Sequence, residues 1–326
     1  MPISACTAST DVPVNAHAEY PRVVQEEEWQ ARARRHAERT RPWIDDRLTR
    51  RAQDRKHAIN DFLFEYYPYS PAKLATWHPG YGVVLEGPAA RDYLAYPGYV
   101  EVPDGVTTNI ALLTKHRARL ELALRILSGT MSRPAMTGCF GLHEWAMVYG
   151  QNQQQVRHTY LPLRVSPAEV TATVDSVGLR CTHIDAYRFF TPEAMPLNPL
   201  EPTRATQPDL EQPGCLHAGM DLYKYAFWFS PLVSSDLIMD CFENAVRIRE
   251  LDMRASPYDM EPFGLAPVHV ETPEGRREYA HLQAGLIEST SPLRERLTQT
   301  LLLLAQCDED AARFEDHRGN VTHGKS

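Results

Sequence analysis

Three segments with helical periodicity place the strongest constraint on how this chain can fold. Apolar residues recur three and four positions apart along residues 107–129, 235–255 and 275–306, which is the pattern of an amphipathic α-helix. The first segment carries Asn109 as a favourable N-cap and closes on Gly129. We therefore predict a mainly α-helical protein, a single helical domain with a small β-element.

Prolines and polar stretches divide the rest of the chain. Six prolines fall between residues 191 and 215, and because proline donates no backbone hydrogen bond they predict a long loop, which in an enzyme often borders the site. We predict tails over residues 1–24 and 311–326 and a helical catalytic domain over residues 25–310. The other predicted elements are a charged helix over 26–56 interrupted at Pro42, a short helix ending at Pro68, a helix over 141–150 and a strand over 158–165.

Composition and targeting signals limit the class of protein. With 326 residues, 43% of them hydrophobic, the chain can bury a core large enough to enclose a small ligand. It has no apolar run of membrane-spanning length and no secretory signal at its start, so we expect no membrane association. The six cysteines form neither a CxxC pair nor a CxxCH motif, which predicts reduced thiols, a cytoplasmic protein and no c-type haem.

The net charge of −8 hides a basic stretch. Between Arg32 and His57, Lys and Arg number ten against four acidic residues, so the remainder of the chain is strongly acidic. An acidic body is a poor surface for phosphates, on which nucleic-acid affinity depends. We interpret the basic stretch as the solvated face of a helix, and a nucleic-acid partner is not expected.

Four segments combine a histidine with aromatic or acidic neighbours. They are WHPGYG around His78, GLHEW around His143, CTHIDAYRFF around His183, and the run QPGCLHAGMDLYK, which carries His217 and Asp221. The last pair is spaced i, i+4, so both side chains would share one face of a helix. A single buried histidine is usually a structural residue, but four such segments together predict a functional site.

A non-haem metal site is one interpretation of these histidines. His183 and Asp185 could supply a ligand pair, with His143 or His217 as a further imidazole. An HxD pair requires a strand, so that alternate side chains point the same way. The sequence has no HExxH zincin motif and no GxSxG nucleophile elbow, and among the cysteines only Cys181, beside Arg180, has a basic neighbour.

A haem site is the other interpretation. Haem needs one neutral axial imidazole and apolar walls, and helical proteins hold it without a short consensus motif. We predict haem b as the cofactor, with His183 as the metal ligand and Tyr187 and Phe190 among the residues that bind the cofactor. His78, in an aromatic loop before Pro79, is predicted as the distal acid/base.

Five stretches resemble a family of actinobacterial proteins that carry the label 3-methyladenine DNA glycosylase. The resemblance spans roughly residues 26–300, and it implies a DNA glycosylase that flips an alkylated base into an aromatic pocket. Neither a helix-hairpin-helix pattern with its catalytic Asp nor a HEAT-like repeat is visible. The five stretches are DFLFEYYPYSPAKLATWHPGYG, CFGLHEWAMVY, THIDAYRFFTPEA, QPGCLHAGMDLYK and LDMRASPYD.

The arrangement of an earlier and a later histidine in a helical chain also resembles the histidine-ligated haem-dependent aromatic oxygenases. That group includes the bacterial L-tyrosine 3-hydroxylases, distant relatives of tryptophan 2,3-dioxygenase, and the resemblance implies a tryptophan-dioxygenase-like helical architecture. It maps the axial role onto His183 and the distal role onto His78, with His217 and His143 as competing ligands. The function it implies is hydroxylation of a phenolic amino acid such as L-tyrosine in antibiotic biosynthesis, with a homodimer left open.

A substrate that is a free amino acid presents a carboxylate, which an arginine fork meets best. Arg254 ends the predicted helix over 235–255, and Tyr258 follows in a loop. We predict Arg254 as the carboxylate clamp and Tyr258 as a second donor. The structural alternative is that Arg254 and Asp259 cap the helix and pair with each other.

Overall fold

A computed structural model of the chain describes residues 22–156 and 160–322, with side chains as far as residue 311. These residues form eleven α-helices and a four-stranded sheet, joined by loops and short 3₁₀ helices. Helices account for 58% and strands for 6%, which confirms the predicted mainly α class. The helices are α1 (Glu26–Ala52), α2 (Phe62–Tyr66), α3 (Pro71–Ala75), α4 (Arg117–Met131), α5 (Leu142–Ala146), α6 (Pro167–Val177), α7 (Ile184–Tyr187), α8 (Gln207–Leu210), α9 (Leu216–Phe227), α10 (Ser235–Arg254) and α11 (Pro273–Thr322). Of the described helices, none has the length and apolarity to cross a membrane.

Helices α9, α10 and α11 form the centre of the core. Nearly every side chain of α9 is buried, although the segment includes His217 and Asp221. Gly219 lets α9 approach α10 closely, because a Cβ at this position would lie 2.6 Å from the Ile248 side chain. Asn244 donates to the Gly219 carbonyl and accepts from Thr290 Oγ1 at 3.1 Å, which ties the three helices together.

The small sheet lies over a second, smaller core. Strand β1 (Arg22–Val24) pairs parallel with β2 (Val83–Leu85), and β2 and β3 (Tyr99–Val102) both pair antiparallel with β4 (Gly105–Thr108). Trp29 on α1 packs in this core and donates its indole N–H to the Glu86 carbonyl at 2.9 Å. The sheet therefore attaches the first helix to the rest of the molecule.

The predicted helix over 107–129 begins later than expected. Residues 105–108 are β4, and Asn109 caps a short 3₁₀ helix, Ile110–Lys115, by accepting from the Ala111 amide at 2.9 Å. The α-helix proper, α4, starts at Arg117. The apolar residues that suggested a continuous helix serve a strand and a 3₁₀ turn instead, since tertiary pairing overrides local propensity.

Three other predicted boundaries differ from the structure. Helix α1 runs through Pro42 without interruption and ends at Ala52. Of the predicted strand over 158–165, residues 158 and 159 lie outside the described residues, and from residue 160 onward only an isolated bridge between Leu163 and Tyr258 forms. The helix predicted over 235–255 is confirmed as α10, whereas the helix predicted over 141–150 is present as α5 but already ends at Ala146.

The predicted tails differ in their outcome. Residues 1–21 and 323–326 lie outside the described residues, while residues 22–24 are already part of the sheet. The chain predicted as a polar tail from residue 311 continues as helix α11 to Thr322. A charged sequence can extend an existing helix because adding one residue to a formed helix is far easier than nucleating a new one.

Part of the basic stretch on α1 is paired with acidic residues. Arg39 pairs with Asp240 and Glu243 on α10, each at 2.7 Å. Arg50 pairs with Asp61 at 2.7 Å. These ion pairs attach α1 to the body of the protein and leave less of its positive charge for a phosphate backbone.

Candidate functional site

Three of the singled-out histidines meet in the interior of the molecule. The ring of His217 lies 4.7 Å, between centroids, from His143 and 5.4 Å from His183. His143 comes from α5, His183 precedes α7 and His217 lies in the first turn of α9, and all three are buried. The structure thus brings together three histidines from three separate segments of the chain.

Two carboxylates converge on His183, and the three side chains form what we call the His183 cluster. The His183 Nε2 atom lies 2.9 Å from Glu211 Oε1 and 3.4 Å from Asp221 Oδ2, with all three side chains at most 1% exposed. Neither carboxylate is aligned to accept a hydrogen bond from Nε2, which has no hydrogen-bond partner in the described part of the chain. The ligand atoms lie within 4.8 Å of one another, a spacing that suits a metal ion.

The His183 cluster is held by partners of its carboxylates. Asp221 accepts from Tyr67 Oη at 2.9 Å and contacts the Lys224 ammonium. Burial would raise the pKa of the Asp221 carboxyl, but Lys224 and His183 outweigh it and hold that pKa well below its usual range. Glu211 accepts from Gln207 Nε2 at 2.5 Å. Both carboxylates are thus fixed in place, and Asp221 is ionised.

The protonation of His183 is set by opposing influences. Burial lowers the pKa of its imidazole, but the charges of Glu211 and Asp221 outweigh burial and raise that pKa to about 9. The Nδ1 atom accepts the Asp185 backbone amide at 3.2 Å, so the neutral ring carries its proton on Nε2, and protonation of Nδ1 would break this hydrogen bond. Two carboxylates this close need a cation between them, which is either the protonated imidazole or a metal ion.

His217 lies between the other two histidines and is neutral. Burial, followed by the nearby His143, lowers its pKa well below the ordinary value. Its Nδ1 atom has no hydrogen-bond partner among the described residues. An unpaired polar atom in the interior is costly, and this nitrogen is free to meet a bound molecule.

His143 belongs to a second group of ionisable side chains, the His143 cluster, formed by His143, Glu144, Arg249 and Asp252. Its members pair with one another. The His143 Nε2 atom lies 2.6 Å from Asp252 Oδ1. Arg249 Nη1 donates to Glu144 at 2.7 Å and to Asp252 at 2.5 Å. Although His143, Glu144 and Asp252 lie close enough to hold a metal ion, the guanidinium already occupies the space between the two carboxylates. We therefore assign this cluster to an ion-pair network.

A narrow cavity of about 320 Å³, open solvent included, reaches this interior. It touches His143 and His217 directly and passes Thr182 and Gln212, the neighbours in sequence of His183 and Glu211. Only about 10 Å³ of this space is open to a water-sized molecule, so it has room for roughly one water, and a larger molecule needs its walls to move. Its wall also carries Cys139, Cys181 and Cys215, which are free thiols.

The surroundings of His183 do not fit an axial haem ligand. Such a ligand needs its Nε2 atom to face the iron of a macrocycle in an apolar slot, and here Nε2 faces Glu211 and Asp221 instead. Tyr187 and Phe190, the predicted cofactor walls, pack on each other at 5.3 Å between centroids and on the hydrophobic core. The carboxylate of Asp185 pairs with Arg204 rather than with the His183 ring.

His78, the predicted distal acid/base, lies apart from the three histidines. Its Nδ1 atom shares a hydrogen bond of 3.0 Å with Tyr99 Oη, and its ring also contacts Tyr93 and Tyr96. Burial lowers the pKa of His78 to about 4, so the ring is neutral near pH 7. It borders a different, open cavity that also touches Phe227.

Arg254, the predicted carboxylate clamp, is already bound by other residues of the protein. Arg254 Nε donates to the Ala266 carbonyl at 2.9 Å, and its Nη2 atom lies 3.6 Å from Glu278. Tyr258 is buried and bridges to Leu163. Arg254 therefore pairs with Glu278 and not with Asp259, the partner that the structural alternative predicted. Through these contacts it holds the segment after α10 in place.

Sequence reasoning missed Glu211, Glu144, Arg249 and Lys224. The sequence signal that could have identified them is an ionisable residue inside an otherwise apolar or aromatic segment. Glu211 in LEQPGCLHAGMD is an example. The i, i+4 placement of His217 and Asp221 on one helix is confirmed. Comparison of the chain with protein-family models, curated proteins and solved structures finds no match.

Proposed function

We propose that this protein is a non-haem metalloenzyme that holds a divalent transition-metal ion in the His183 cluster. The ligands are His183 Nε2 and the carboxylates of Glu211 and Asp221. An imidazole with two carboxylates suits Fe²⁺, Mn²⁺ or Zn²⁺, whereas the softer Cu⁺ prefers sulfur. The observation that carries the proposal is the convergence of these three buried atoms around an Nε2 that makes no hydrogen bond.

The neighbours of the cluster would prepare such a site for catalysis. Tyr67 and Lys224 orient Asp221, and Gln207 orients Glu211, in the manner of the outer groups that hold metal ligands in place. The ion would supply Lewis-acid activation of water or, as Fe²⁺, activation of dioxygen. His217, neutral and unpaired at Nδ1, can take a proton from a water molecule in the cavity, which His217 lines.

The substrate is a small molecule in this proposal, because the cavity is narrow and the ligands are wholly buried. An aromatic amino acid is the substrate predicted for the haem-dependent alternative, and the cytoplasm remains the predicted location. Among the described cysteines four are free thiols, but Cys307 is disulfide-bonded, so the prediction of reduced thiols is wrong for Cys307.

Metal analysis of the purified protein tests the proposal. Protein produced in medium supplemented with iron, manganese and zinc should contain about one equivalent of one of these metals. Glu211→Gln and Asp221→Asn each remove one ligand charge and should lose most of it. Asp61→Asn is the matched control, since Asp61 is a buried carboxylate paired with Arg50 outside the cluster, and it should retain the metal.

Two results would overturn the assignment. One is wild-type protein that is free of metal and whose melting temperature does not rise when the metals are added, since a ligand that binds only the folded state must stabilise it. The other is metal retained in both ligand variants while their circular dichroism remains native, which would place the ion elsewhere.

The haem-dependent tyrosine hydroxylase stays a prediction, supported by its resemblance alone. The absorption spectrum of the same preparation tests it, because bound haem gives a Soret band. Excision of alkylated bases, the activity that the glycosylase label implies, is tested on alkylated duplex DNA. The ion pairs along α1 that neutralise Arg39 and Arg50 speak against DNA as the substrate.

A further inference from the structure

The His143 cluster ends at a cysteine that lies on the wall of the cavity. Cys139 Sγ lies 4.0 Å from His143 Nδ1, and His143 Nε2 lies 2.6 Å from Asp252 Oδ1. The thiol is half-buried, while the histidine and the aspartate behind it are buried. Cys139 is thus placed as a nucleophile, His143 as its base and Asp252 as the group that orients the base. This is the arrangement that activates cysteine and serine nucleophiles.

The backbone between Cys139 and His143 takes an unusual course. Phe140 and Gly141 both have positive φ, +49° and +71°, and Phe140 is one of two non-glycine residues with positive φ in the described chain. Such a conformation is costly for a phenylalanine and clusters at functional sites. A Cβ on Gly141 would also lie 3.3 Å from the Ala255 side chain. This turn delivers Cys139 to the start of α5, within reach of the His143 ring.

His143 is kept in its charged form. Burial lowers its pKa, but the Asp252 carboxylate outweighs burial and raises that pKa well above the ordinary value. Arg249 neutralises the remaining charge on Glu144 and Asp252. The charged imidazole can pass its Nδ1 proton to a leaving group at Cys139, whose sulfur lies 4.0 Å away.

We propose that Cys139, His143 and Asp252 form a nucleophilic triad that accepts the acyl group of a small anionic ester or thioester. The Cys139 thiolate attacks the carbonyl carbon, and the bond to the alkoxide or thiolate leaving group breaks. The His143 Nδ1 proton passes to that leaving group, which gives a thioester on Cys139. Water then attacks the thioester, its proton returns to His143, and the carboxylic acid and the thiolate are released.

Arg180 is the reason that we expect an anionic substrate. It lines the same cavity, and its Nη1 atom lies 3.3 Å from the position of a Cβ on Gly138, the residue before Cys139. The Arg180 side chain is exposed, so it can turn towards an arriving carboxylate, which its guanidinium fork would bind.

Covalent labelling of the folded protein tests the triad. With 4-nitrophenyl acetate, wild-type protein should release about one equivalent of nitrophenol in a burst and carry the acetyl group on Cys139, as mass spectrometry of the peptides would show. Iodoacetamide at pH 6.5 should alkylate Cys139 about ten times faster than Cys215, which lines the same cavity and whose thiol pKa burial raises well above the ordinary value. Cys139→Ser should abolish the burst and leave Cys215 labelling unchanged.

Two variants separate the roles of the neighbours. Asp252→Asn should slow acylation of Cys139 by about tenfold or more, because it removes the group that orients and charges His143. Arg180→Ala should slow alkylation by iodoacetate, the anionic reagent, and leave the rate with iodoacetamide unchanged. If Asp252→Asn fails to fold, the wild-type comparison of Cys139 with Cys215 still decides the question.

The labelling is independent of the proposed metal. Protein treated with EDTA should react as the untreated wild type does, and a Cys139 that reacts only in the metal-loaded protein would overturn the triad. So would the absence of an acetyl group on Cys139, or alkylation of Cys139 no faster than that of Cys215.

Discussion

Arg249 offers the sharpest test of the interior charge network. Its guanidinium is wholly buried and donates from one nitrogen to both Glu144 and Asp252. Its carbon atom Cζ lies 4.0 Å from the centroid of the Phe62 ring. Arg249→Met keeps an apolar chain against Phe62 and removes the charge, so that two buried carboxylates share only the His143 imidazolium.

The expected loss is large because one partner of a buried ion pair is removed and the other stays. Such changes cost about 3–5 kcal/mol of the free energy of unfolding. With a urea dependence of about 3 kcal/mol per molar, the unfolding midpoint should fall by about 1–1.7 M. Adding Glu144→Gln removes the orphaned charge, so Arg249→Met with Glu144→Gln should be more stable than Arg249→Met alone.

Urea unfolding followed by circular dichroism measures these values. Arg91→Met is the matched control, because Arg91 pairs with Glu101 on the surface at 70% and 53% side-chain exposure and such pairs contribute about 0–1 kcal/mol. A loss below about 1 kcal/mol in Arg249→Met would refute the reasoning. Glu144 and Asp252 would then be neutralised by something other than Arg249, and the His143 cluster would become a second candidate metal site.

Two further predictions concern metal uptake and helix packing. Because the His183 pKa is raised to about 9, a metal ion must displace a proton below that pH, so its apparent affinity in a competition titration should rise about tenfold per pH unit from pH 6 to 8; a flat profile would exclude Nε2 as a ligand. Gly219→Ala should cost about 1–3 kcal/mol in urea unfolding, because the new Cβ would lie 2.6 Å from Ile248. Gly285→Ala, at a helical position with open space, should instead stabilise by about 0.5–1 kcal/mol, and equal effects would contradict the close packing of α9 on α10.

Local pattern in the sequence determined much of the helical framework. The apolar spacing over residues 235–255 predicts α10 to within a residue, and the spacing of His217 and Asp221 places both on one face of α9. Periodicity reports which face of a helix is buried, so it identifies these elements without knowledge of their neighbours. It failed over residues 107–116, where pairing with β3 and the Asn109 cap replace a helix that the pattern allowed.

Only the tertiary structure decided which polar residues meet. Glu144 and Arg249 stand 105 residues apart in the chain, as partners in one buried ion pair, and no local pattern relates them. The proline-rich loop that was predicted as irregular brings Glu211 to His183, which turns a predicted haem ligand towards two carboxylates. Buried charges are tolerated only with partners. The packing of helices that are distant in sequence determines which partners meet, and therefore the candidate chemistry of the site.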